Sequence, residues 1–240
     1  MAEVHRSTAR NSDNKVTYLL LAIICFVIGM ATFLLVVGPA HLQGGFGAPI
    51  VVPGFIFCGL VLKAGEFFWN KFSSYSSGDS GRSYTTNFLS ALPKDYEIYT
   101  NVAIGEAIID FVVVGCNGVF VINNRNNKGM IECDEHSGSW TIHKEGRRGG
   151  KYTSTMGNPL KKMKWQVHVL ADYLQGCGCK VWVEGVVFFS NNEVSLSDKP
   201  THCMDNQDEL LQFIVSNRPR CYMSAQEISR INGLLQSMVN

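Results

Sequence analysis

The sequence predicts a mixed α/β domain carried on a two-helix transmembrane hairpin, and three observations support this. The chain has 240 residues, a length for one domain or for one domain with an appendage. From Val16 to Leu62 it contains no Asp, Glu, Lys or Arg, more than twice the roughly 20 apolar residues that cross a hydrocarbon core. Beyond that stretch, β-rich apolar runs alternate with runs of helical period, the pattern of an α/β fold. The formal net charge of +1 is an average over very unequal regions and selects no function class.

Residues 1–15 form an N-terminal tail and residues 16–62 the membrane hairpin. Its first segment is Val16 to Val37 and its second about Phe46 to Leu62, joined by the turn GPAHLQGG. Pro49 and Pro53 weaken the second segment as a helix, which a membrane tolerates when neighbours satisfy the freed carbonyls. The first segment is too long for the apolar region of a cleaved signal peptide, and a second follows it directly. Arg6, Arg10 and Lys15 precede the hairpin, Lys63 and Lys71 follow it, and the turn carries neither residue type. The positive-inside rule then predicts an integral membrane protein with both ends and the soluble domain on the cytoplasmic side. The eight cysteines agree with a reducing compartment: they form no CxxC pair. With His136, His143 and His202 they supply no zinc-ligand spacing.

A Ser- and Gly-rich juxtamembrane linker is expected over residues 63–81, and the soluble domain over 82–240. Ser83 to Leu92 reads as a short helix stopped by Pro93. Tyr96 to Ala103 alternates as a strand. Ala107 to Val114 is apolar on both faces, as a central strand is. Asn117-Gly118 marks a tight turn, and Val119 to Arg125 returns as the partner strand. Met130 to Cys133 and Ser139 to His143 form a further pair, followed by a basic loop. Asn158-Pro159 opens a helix reaching about Leu174, with Leu160, Met163, Val167, Leu170 and Leu174 on its buried face. Lys180 to Phe189 is another strand. Asp208 to Val215 and Ser224 to Met238 complete the chain as helices, the last opened by the capping box Ser224-x-x-Glu227.

Asp110 stands out because it interrupts an apolar strand, and a buried carboxylate is costly unless it is paired or binds a metal. On the returning strand Asn123 and Arg125 are two apart and point to one face. An acid beside two polar side chains on the neighbouring strand is how metal-dependent nucleases hold a divalent ion. The segments GEAIIDFVVVGCNGVFVINNRNNKG, SWTIH, NPLKKMKWQVHVL and VEGVVFF, taken in that order, resemble the NERD (nuclease-related) domain. That resemblance covers about Gly81 to Asn240. It implies membership of the PD-(D/E)xK superfamily and a restriction-endonuclease-like α/β fold, a mixed sheet flanked by helices.

The departures from the family pattern shape the functional expectation. Where the family has Glu-x-Lys, this chain has Asn123-Asn124-Arg125. Where it has Gly-Glu on the first helix, this chain has Gly81-Arg82, and Lys162 stands in the place of a Gln after Asn-Pro-Leu. Magnesium prefers carboxylate and water oxygens, and a guanidinium cannot replace a lysine that must lose a proton. The expected site is therefore a degenerate one of Asp110, Asn123 and Arg125, with Asp110 as the sole weak metal ligand. A migrated carboxylate, Glu132 or Glu106, is the alternative that would rescue it. An Asp110–Arg125 ion pair that only stabilises the hairpin is the bland alternative. A second feature is the basic segment Lys144, Arg147, Arg148, Lys151, Lys161, Lys162 and Lys164, with Glu145 its one acid. It suits nucleic-acid phosphates or anionic lipid, or is simply solvated. The sequence thus predicts a catalytically inactive binding or structural subunit of a membrane-associated assembly. Its expected partners are the membrane and other proteins, with nucleic acid a further candidate, and it needs no cofactor. The competing expectation is a membrane-tethered nuclease on DNA or RNA, for which Mg would be required.

Overall fold

The computed structural model describes residues 1–6, 9–39, 42, 51–146, 149–218 and 222–239. They divide into two compact units: Thr8–Ser77, and a second unit that joins Met1–Ser7 to Gly78–Asn240.

The first unit is a pair of apolar helices. Helix α1 spans Ala9–Thr32 and ends in a π-helical turn, Phe33–Val37. Helix α2 begins at Val51. Pro53 falls in its first turn, where the missing N–H breaks no intrahelical bond. Small residues let the two helices approach: a Cβ on Gly65 would lie 3.3 Å from that of Cys25, and one on Gly29 would lie 3.5 Å from Leu62. Leu20, Phe26, Leu34, Ile56 and Leu60 point outward and are exposed, so the polarity is inverted relative to a soluble hairpin. Both helices are long and apolar enough to cross a membrane. Pro49 and most of the expected turn lie outside the described residues.

The second unit holds a six-stranded sheet in the order β1-β2-β3-β4-β8-β10. Its strands are β1 (Glu3–Arg6), β2 (Glu97–Ile104), β3 (Ala107–Gly115), β4 (Gly118–Arg125), β8 (Val183–Phe189) and β10 (Cys203–Met204). Strands β2, β3 and β4 form an antiparallel meander, and β1, β8 and β10 pair in parallel with their neighbours. The β3–β4 turn is Cys116-Asn117, because Gly115 pairs with Gly118. Asn117 is buried there. Its Nδ2 donates to Ile214 O at 2.6 Å, and Tyr96 Oη donates to its Oδ1 at 3.0 Å.

Both faces of this sheet are covered, which explains the uninterrupted apolar runs of β3 and β4. One face packs on the end of α2 through Leu89 and on α4 (Gln207–Ser216) through Leu210 and Ile214. The other packs on α3 (Pro159–Gly176) through Leu170 and Leu174, and on α5 (Ala225–Val239) through Ile231 and Leu235. Asn158 caps α3 by accepting from the amides of Leu160 and Lys161. Ser224 and Glu227 form the expected capping box on α5, with Ser224 N donating to Glu227 Oε2 at 2.8 Å.

Three expectations are corrected. The linker is not a coil: α2 runs unbroken from Val51 to Leu89, through all of the Ser- and Gly-rich stretch. Extending an existing helix adds one hydrogen bond per residue fixed, which outweighs modest propensity. The N-terminal tail is not simply a tail, because residues 3–6 form β1 on the edge of the sheet, in register with Glu97–Thr100. The expected pair 130–133 and 139–143 does form, antiparallel. It belongs to a second sheet, β7-β6-β5-β9, of β5 (Gly129–Glu132), β6 (Ser139–Glu145), β7 (Lys151–Gly157) and β9 (Val194–Ser197). Half of the expected basic loop is β7, antiparallel to β6. A third apolar cluster, with Ile131, Trp140 and Ile142 against Leu160, Met163 and Phe189, joins this small sheet to the start of α3.

Candidate functional site

The site lies at one end of the β3–β4 hairpin, where regular pairing stops at Phe111–Ile122. Asp110 follows on β3 with its side chain only 17% exposed. Its carboxylate accepts the backbone N–H of Asn124 at 3.1 Å, and Arg82 Nη1 stands 3.6 Å away. Arg82 also bonds Asp79 at 3.0 Å. Helix α2 can bring Arg82 this close because residue 81 is glycine: a Cβ there would lie 2.7 Å from Ser190 Oγ and 2.8 Å from Asn126 Cβ.

Arg125 on β4 and Lys162 on the first turns of α3 also act on the charge of Asp110. Burial raises the Asp110 carboxyl above its ordinary range, and the opposing pulls of Lys162, Arg82 and Arg125 do not cancel it. Burial lowers Arg125, against the pull of Asp110. Partial burial of its ammonium, then the nearby positive charge of Arg125, lowers Lys162.

Alternation along β4 sends its polar end in two directions. Asn124 meets α2, where Thr85 Oγ1 donates to its Oδ1 at 3.0 Å. Asn123 meets α3 and is fully buried. Its Nδ2 donates to Gln166 Oε1 at 2.9 Å, and Gln166 Nε2 donates to Ile108 O at 2.7 Å. Of the expected trio, Asp110 and Arg125 lie on adjacent strands, each favouring the other's charged form, while Asn123 Nδ2 is engaged by Gln166 and its Oδ1 is buried without a partner among the described residues. Arg82 was legible only as a departure from a motif, and its role comes from the approach of α2. Gln166 left a signal that reading the apolar stripe passes over: it is a polar residue one turn from both Met163 and Leu170, on the buried face of α3.

The migrated-carboxylate alternative has no support from geometry. Glu132 is on β5 in the second sheet and pairs with His143 at 2.8 Å, and Glu106 sits in the β2–β3 turn. The basic segment is divided among elements. Lys144 is on β6, Lys151 on β7, and Lys161, Lys162 and Lys164 on α3. Arg147 and Arg148 lie outside the described residues. Among the described members of the segment, Lys162 is the one that acts on Asp110.

A magnesium ion does not fit this donor set. It would find the Asp110 carboxylate with Arg82 3.6 Å away, and Asp79 already bonded to Arg82. The one neutral oxygen left over is Asn123 Oδ1, which is buried without a hydrogen-bond partner among the described residues. Among the described residues no three His, Cys, Asp or Glu side chains gather as a metal site would need.

The fold is mixed α/β, with two sheets flanked by helices, and is consistent with a nuclease-like domain. Residues 77–190 match the family model of NERD, the nuclease-related domain. No curated protein and no solved structure matches the chain.

Proposed function

We propose that the protein is a membrane-anchored, catalytically inactive NERD domain that serves as a binding or structural subunit of a membrane-associated assembly, with the domain on the cytoplasmic side. The observation that carries this reading is the loss of both partner acids of Asp110: Arg82 and Asn123 stand where the family pattern has Glu. Arg82, Arg125 and Lys162 stand where the family pattern has Glu, Lys and Gln. Arg82 and Lys162 act on Asp110 at positions where a nuclease needs a second carboxylate or a neutral ligand.

The membrane part of the reading rests on the two apolar helices and on β1. Strand β1 precedes α1, and its partner β2 follows α2. A chain that crosses a membrane along both helices keeps that pairing because it returns to the side it left. The flanking Arg6, Arg10, Lys15, Lys63 and Lys71 support the cytoplasmic side.

The test is a nuclease assay on the full-length protein in detergent, with Mg²⁺ or Mn²⁺ and single- and double-stranded DNA and RNA. The expected result is no cleavage above that of Asp110→Ala. Metal-dependent cleavage that disappears in Asp110→Ala would establish a tethered nuclease instead.

A further inference from the structure

The two apolar helices pack out of step with their uncharged segments. Gly65 lies against Ala22 and Cys25, Val61 and Leu62 lie against Gly29, and Phe33 meets Phe55 at 6.2 Å. Residues 61–65 of α2 therefore stand beside residues 22–29 of α1, the middle of its uncharged stretch. Ile23, Ile24, Phe26 and Val27 are exposed there. At that level α2 carries Lys63 and Glu66. Lys63 Nζ is 3.7 Å from Glu66 Oε2, and the two side chains are 82% and 64% exposed. The apolar surface continues past the pair. Phe67 and Trp69 are exposed beyond it, and Tyr18 stacks on Phe68 and Tyr75. Aromatic rings and flanking lysines, here Lys15 and Lys71, mark a membrane–water boundary. Lys63 lies eight residues inside Lys71, about 12 Å along a helix.

An ion pair facing hydrocarbon at that depth is costly, and charges within a membrane turn toward a partner. Beside the pair runs a groove of about 340 Å³ lined by Ala22, Phe26, Leu62, Gly65 and Trp69, with Glu66 its one charged member. Small residues such as Ala22 and Gly65 let another helix approach closely. The charges identify that helix. Lys63 and Glu66 put both signs on one face, so an identical face satisfies them. Two copies inserted the same way are related by an axis along the membrane normal, which sets their α2 helices parallel. Lys63 of one copy then lies within a turn of the second copy's Glu66, and the reverse, as in any isologous twofold contact. A lipid headgroup stays at the boundary and does not reach this depth.

We propose that the Lys63–Glu66 face of α2, with the groove beside it, is a dimer interface within the membrane, closed by two reciprocal ion pairs between copies of this chain. The inference rests on the membrane-spanning part of the reading above and names a partner for the assembly. It is independent of whether the domain cleaves nucleic acid.

The experiment uses the full-length protein in mild detergent. Light scattering of the purified wild type should give a dimer. Lys63→Glu sets carboxylates against carboxylates across the interface, and Glu66→Lys sets ammoniums against ammoniums, so each variant alone should self-associate at least tenfold more weakly. Co-expressed with different tags, the two variants should co-purify as a heterodimer. Every charge across that interface is opposite again, while the pair within each chain stays broken. The double variant Lys63→Met, Glu66→Gln carries no charge into the membrane and should be a monomer. If either charged variant fails to insert, this neutral one decides: a monomer supports the ion pairs and a dimer overturns them. A monomeric wild type, alone or bound to a different protein, overturns the proposal. So do single variants that still dimerise, or inserted variants that do not co-purify. Release of the wild type from membranes by alkaline carbonate sinks the membrane reading itself, whereas an integral monomer sinks this inference alone.

Discussion

The two ends of the β3–β4 hairpin are built from the same two strands and behave as opposites. At the turn end, Val112, Val113 and Val114 face Val119, Phe120 and Val121, and all six are fully buried. Helices cover both faces there, so each side chain has apolar neighbours whichever way it points. At the other end the strands carry Asp110 and Asn123-Asn124-Arg125, and the neighbouring helices contribute Arg82, Thr85, Gln166 and Lys162 rather than leucines. The apolar end is stabilised by burial, which is non-directional. The polar end depends on specific partners, each costly to lose. The comparison teaches that one hairpin can be both the centre of the core and the floor of a site, provided the covering helices change character along their length.

The largest expected effect is at the apolar end. Phe120→Ala should cost about 3–5 kcal/mol, read as a fall in the denaturant midpoint of the domain in the full-length protein. A loss below about 1 kcal/mol would show that this end is not the core. At the polar end, Gln166→Leu leaves the Asn123 amide buried without its acceptor and should cost about 1–3 kcal/mol by the same measurement. No change would mean that the Asn123–Gln166 bond contributes nothing net.

The smallest effect has the most informative sign. Because burial raises the folded-state pKa of Asp110, the folded protein holds that proton more tightly than the unfolded chain. The contribution of Asp110 to stability is then best below the unfolded carboxyl pKa of about 3.9 and declines as pH rises through the folded value. Asp110→Asn should therefore match the wild type in acid. At pH 7 it should equal or exceed it, by up to about 1 kcal/mol. A variant less stable at pH 7 than the wild type would show instead that pairing with Arg82 outweighs the burial cost.

Much of the fold was legible because it is written in local pattern. The apolar stretch of 16–62, the run Ala107–Val114, the stripe on α3 and the capping box at Ser224 each need only nearby residues to be recognised. The site was half legible. Asp110 and Arg125 announce themselves by polarity inside an apolar hairpin, and Lys162 by its place after Asn158-Pro159-Leu160. Arg82 reads as surface charge in a Ser- and Gly-rich stretch until α2 packs it beside Asp110. Gln166 reads as a break in a stripe until Asn123 is seen beneath it.

By itself, the sequence determined that two apolar helices precede a mixed α/β domain and that a lone acid sits in its central hairpin. Uncharged length and strand alternation are properties of consecutive residues, so no partner is needed to read them. Only the tertiary structure decided that Glu3–Arg6 is a strand, that β5, β6, β7 and β9 leave the main sheet to form their own, and that Arg82 comes within 3.6 Å of Asp110. Residues 3–6 have little strand signal of their own and are extended because the edge of β2 offers unpaired backbone groups. The second sheet closes when β9 joins β5 in parallel, a pairing across some sixty residues that no local spacing records. The approach of Arg82 to Asp110 depends on the end of α2 packing beside β3, and charges placed by separate elements are seen together only after they pack.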